Sequence, residues 1–168
     1  MTAPHLHLLL NEWPIMGIFI GVGLLCFGWY RAEKEWVTAG LVLFVLMSML
    51  TIGVYVSGTY AHEAVEDIPA VDQRHDLLHD HEDLGWYALV ALLGLGGVSL
   101  VALIYARRRD QYGRVIVISL FLLALASLYF YGRVAHYGAH IRHPEIAVDY
   151  QPVQPPQPSS DSHEGHSH

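Results

Sequence analysis

Four apolar runs, at about 8–30, 36–57, 84–105 and 115–137, take up most of this chain, and the charged residues within them, Glu12 and Arg133, lie near a run's end. Each run reaches the ~20 residues that a helix needs to cross ~30 Å of hydrocarbon. A water-soluble bundle would need a charged face repeating at the helical period in every helix, and these runs have none. Hydrocarbon offers no water to unpaired backbone groups, which leaves helices as the economical way across. The expected fold is therefore all-α: an integral membrane four-helix up-down bundle spanning residues 1–146, followed by a tail at 147–168.

Charge orients the bundle. Six of the nine basic residues, Arg31, Lys34, Arg107, Arg108, Arg109 and Arg114, sit in the two short connections after the first and third runs. Those connections are expected in the cytoplasm, with both termini on the outer, periplasmic side of a bacterial inner membrane crossed by a multi-pass chain. The outer segments carry three basic residues against thirteen acidic, net −10, and the inner ones six against three, net +3. Trp13 and Trp86 fall at the expected outer boundary and Trp29 and Trp36 at the inner one, where an indole buries its ring and keeps its N–H wet. The first run lacks a basic leader and a small-residue cleavage pattern, so it is read as a retained helix. The lone Cys26 excludes an intramolecular disulfide, a cysteine zinc cage and a covalently attached c-type haem.

The outer segments hold the chemistry. All twelve histidines fall at this end: in the N-terminal stub, in the acidic segment 58–83 with the adjoining helix ends, and in the C-terminal region. Segment 58–83 reads as an outer loop, and after Pro69 an amphipathic stretch with Val71, Leu77, Leu78 and Leu84 is expected as a short surface helix leading into the third run. The tail, rich in Pro and Ser and without an apolar period, is expected to be disordered. Two helical hairpins are implied, but no internal repeat is convincing.

His136, His140 and His143 stand at i, i+4 and i+7, one stripe of a helix; His75 and His79 stand at i, i+4, with His81 displaced beside Glu82. His5 and His7 precede Asn11-Glu12-Trp13-Pro14, and His62 follows the second run. His163, His166 and His168 give the tail a metal-capturing composition. Each helix thus brings imidazole to one end of the bundle. Neutral imidazole binds iron, copper, zinc and nickel, and two imidazoles from different helices clamp haem from both faces. Histidines at i, i+4 on one helix cannot fill both axial positions, so haem b would pair His136 or His140 with His81 or His7. Arg133 or Arg142 could then hold a propionate. The metal alternative draws on His62, His75, His79, His143, Glu82 and the tail histidines, for copper, zinc or nickel. In the plainest reading the histidines only solvate an interface, and Gly17, Gly21, Gly94, Gly96 and Gly97 serve helix packing rather than room for a porphyrin edge.

The stretches "HLHLLLNEWPIMG", "SGTYAHEAVEDIPAV", "HDHEDLGWYALVALL" and "YGRVAHYGAHIRHPEI" resemble the DUF2231-like family of uncharacterised four-helix bacterial membrane proteins. The resemblance covers nearly the whole chain up to Ile146. It implies a place in membrane electron transfer, beside Rieske-type or cytochrome proteins, with His7, Asn11, Glu63, Glu66, His81, Glu82, His136, Arg142 and His143 as the matching polar residues. This chain departs from the family pattern at Glu12, where a histidine is common, and at His140, where a glutamate is common.

Three classes of function follow: an electron-transfer subunit holding haem b or a redox metal, a non-redox metal-capturing or sensing protein, and a structural or assembly subunit of a membrane complex. Translocation is disfavoured because mid-membrane polar residues are few, namely Ser48, Thr51, Ser99, Ser119 and Ser127. No nucleophile–base pair or phosphate loop is legible, so catalysis is not expected. An outer face this acidic argues against nucleic acid.

Overall fold

A computed structural model describes residues 3–63, 75–107 and 112–142, and among them the chain is all-helical, without strands. The helices are α1 (Ala3–Leu10), α2 (Glu12–Arg31), α3 (Lys34–Glu63), α4 (His75–Ala106) and α5 (Arg114–Arg142). Four segments, His7–Arg31, Lys34–Ala61, His79–Ala106 and Arg114–His140, are long and apolar enough to cross a membrane.

The helix ends follow from local chemistry. Pro14, fully buried, has no N–H for the carbonyl of Leu10, and α1 gives way to α2 at Asn11. Asn11 keeps helical angles and its N–H still reaches the carbonyl of His7 at 2.9 Å, so the two pieces form one interrupted span. At the other end Ala32 adopts the left-handed conformation (φ 55°), its N–H bonding Trp29 O while Glu33 N–H bonds Gly28 O. This is a Schellman cap made with alanine where glycine is usual. The chain reverses within two residues and starts α3 at Lys34.

Segment 58–83 is more helical than expected of a loop. α3 runs on to Glu63 and α4 begins at His75, so each helix continues past its apolar run without a break. Nothing in the sequence stops them: neither Gly58 nor Gly85 breaks a helix, and no proline falls within either one. Pro69, Val71 and the rest of 64–74 lie outside the described residues, as does the tail.

Consecutive helices pack side by side: α2 on α3, α3 on α4 and α4 on α5, with α1 against α3 and a shorter meeting of α2 with α5. The contact register shows the opposed directions. Gly17 meets Met47, Gly21 meets Phe44 and Gly28 meets Val37; Tyr55 meets Trp86 and Lys34 meets Ala106; Tyr87 stacks on Phe130 and His81 meets Val134. Leu41, Phe44, Leu92, Leu95 and Leu120 are fully buried, yet Met49, Val101 and Leu122 are at least 60% exposed. The outward faces are as apolar as the core. In water this would be an aggregation surface; in a bilayer it is the lipid contact.

Candidate functional site

Among the described residues, the buried hydroxyls of the core bond within their own helices. Ser48, Thr51, Ser99 and Ser127 are buried, and each hydroxyl donates to a carbonyl three or four residues earlier in its own helix. No buried side-chain polar atom among the described residues lacks a partner. Thr51 also accepts a 2.8 Å hydrogen bond from Tyr131, since its only proton is already given to Met47 O. Gly96 receives Ser48, and Gly17 and Gly21 receive Met47 and Phe44, so these glycines serve close helix approach. Gly94 and Gly97 meet nothing.

At the histidine end, two imidazoles are built in the same way. His7 Nδ1 lies 3.0 Å from Val54 O on α3, and the ring packs on Gly58 one turn later. His81 Nδ1 lies 3.1 Å from Val134 O on α5, and the ring packs on Gly138 one turn later. A carbonyl can only accept, so Nδ1 carries the proton in both rings and a neutral imidazole has its lone pair on Nε2. That is the tautomer set by a backbone acceptor in ligating histidines. A Cβ at Gly58 would lie 2.9 Å from His7 Cε1, which makes glycine a requirement of the clamp.

The parallel extends beyond the clamps. The shift that carries His7 to His81 carries buried Pro14, Ile18, Gly21, Leu25 and Gly28 of α2 onto buried Ala88, Leu92, Leu95, Ser99 and Ala102 of α4. The shift that carries Val54 to Val134 carries buried Val37, Gly40, Phe44 and Thr51 onto buried Val117, Leu120, Ala124 and Tyr131. Any two helices that each bury one face share such a spacing, so burial alone does not establish a repeat; the matching traces in the chain are His-x-His at 5–7 and 79–81 and Val-x-x-x-Gly at 54–58 and 134–138.

The remaining site residues do not join these clamps. His136 is exposed and His140 half-buried, their ring centroids 4.3 Å apart. At 100° per residue they lie across α5 from Gly138, the face that receives His81, and from the core positions Tyr131 and Val134. His81 therefore does not oppose His136 or His140 across one porphyrin: these residues do not fit haem in that pairing. Arg133, exposed, donates to Tyr137 OH at 3.3 Å and stacks over that ring at 5.3 Å. His79 is exposed and Glu82 half-buried on α4. The side chains of His62, His75 and Arg142, and all of Glu66, His143, His163, His166 and His168, lie outside the described residues. Among the described residues no three His, Cys, Asp or Glu side chains are grouped to hold a metal ion. Compared with protein-family models, curated proteins and solved structures, the chain matches none.

Proposed function

We propose that this protein crosses a bacterial inner membrane four times, up and down with both termini outside, and captures a transition-metal ion at its outer rim. The observation that carries the reading is the His136–His140 pair, two imidazoles 4.3 Å apart at the end of α5 on its outward face. A pair at i, i+4 can turn two nitrogens toward one borderline ion such as copper, zinc or nickel. His143, a further turn along the sequence, and the tail histidines are candidate additional donors, and the acidic outer segment concentrates cations around them.

A second reading rests on the two clamps. His7 and His81, one from each helical hairpin, have the proton placement of ligating histidines and are the pair to test for haem b in electron transfer with a Rieske-type or cytochrome partner. Haem bound there would supply one-electron chemistry, while the Val54 and Val134 carbonyls orient the rings.

One preparation decides between these readings. Tag-free, detergent-purified protein should bind about one copper, zinc or nickel ion through the rim pair, and His136→Ala with His140→Ala should weaken binding at least ~10-fold. A reduced-minus-oxidised spectrum on the same sample with a b-type α-band, lost in His7→Ala and His81→Ala, would replace metal capture with the haem reading. Neither signal would sink both and leave a structural or assembly subunit.

A further inference from the structure

Four side chains at the outer end of α5 are in unbroken contact. Arg133, His136, Tyr137 and His140 stand at i, i+3, i+4 and i+7, on one face of the helix. The Arg133 guanidinium lies over the Tyr137 ring, 5.3 Å from its centroid, and donates through Nη2 to Tyr137 OH at 3.3 Å. Tyr137 meets His136 edge to face, with ring centroids 5.9 Å apart, and His136 meets His140 at 4.3 Å. The pair of imidazoles therefore has a fixed positive charge beside it. Arg133 is exposed and forms no ion pair among the described residues.

That charge bears on what the pair can hold. A four-coordinate zinc ion on two neutral imidazoles keeps two positions open and its full double charge, because imidazole brings no negative charge. No third His, Cys, Asp or Glu among the described residues completes the set. A bare dication is repelled by the neighbouring guanidinium, whereas a two-oxygen anion placed between them is attracted to both. A carboxylate suits the place: one oxygen fills an open position on the ion and the other accepts from the planar guanidinium, whose donors are mostly left over after the bond to Tyr137. We infer that the rim site takes its metal ion together with a small carboxylate, the ion on His136 and His140 and the carboxylate between the ion and Arg133. The inference rests on the metal-capture reading and makes the ligand of this protein a metal–carboxylate complex.

The test titrates the full chain in mild detergent with zinc, in sodium chloride and in sodium acetate at equal ionic strength, with affinities referred to free zinc. Acetate should tighten binding by ~3-fold, the scale of an exposed charge pair. Arg133→Gln, at an exposed position, should bind zinc ~2-fold more tightly than the unaltered protein in chloride, because the repulsion is gone, and should gain nothing from acetate. Damage to the fold would not produce tighter binding. Zinc binding that depends on His136 and His140 but ignores acetate, or an acetate gain that survives Arg133→Gln, would overturn the carboxylate and leave metal capture standing. Absence of zinc binding in both salts would overturn both.

Discussion

The hydroxyls of Thr51 and Tyr131 meet at 2.8 Å within an otherwise largely apolar core. Thr51→Val would leave the Tyr131 hydroxyl without its acceptor, at a cost of about 1–3 kcal/mol, and adding Tyr131→Phe should recover much of the loss because both polar partners are then gone. Reversible unfolding in mixed micelles measures both variants, and a double variant no better than the single would refute the pairing. Ala32 is a second single-residue case. Its left-handed backbone suits glycine, so Ala32→Gly should stabilise the fold by about 0.5–1 kcal/mol in the same assay. Neither contact was legible in the sequence. Thr51 was noted there only as a mid-membrane polar residue, and its partner lies on a helix far along the chain.

At the scale of the element, the seams between helices are set by what one helix allows its neighbour to bring close. Ser48 enters α4 at Gly96, where any Cβ would collide with it. Gly96→Ala should therefore cost about 1–3 kcal/mol by overpacking, whereas Gly97→Ala, with open space around it, should be close to neutral or mildly stabilising. Equal effects at the two positions would contradict the α3–α4 register. The same contrast explains why the run of glycines in the sequence suggested room for a cofactor: composition shows that a helix is thin, not which side of it is occupied. The rim pair on α5 makes its own prediction. Protons compete with metal for imidazole lone pairs, so binding through His136 and His140 should fall on acidification and return on neutralisation, as read by equilibrium dialysis. Retention unchanged by acid would point to donors other than histidine.

For the whole molecule, the sequence determined that there are four membrane-length helices, because hydrocarbon thickness converts directly into a count of apolar residues and a charged interior is costly. It also led to the expectation that the histidines gather at one end, and among the described residues His7 and His81 sit beside the late turns of α3 and α5 that also carry His136 and His140. Which way each histidine faces was decided only by the tertiary structure. In a soluble bundle the polar side of each helix marks its outside; here lipid and protein core are equally apolar, and the pattern that would separate His81, clamped between helices, from His136, turned away from them, is missing from the chain. The contact of Thr51 with Tyr131 was hidden for the same reason: close packing constrains size and proximity at each position more than identity, and only the folded chain brings α3 and α5 together there.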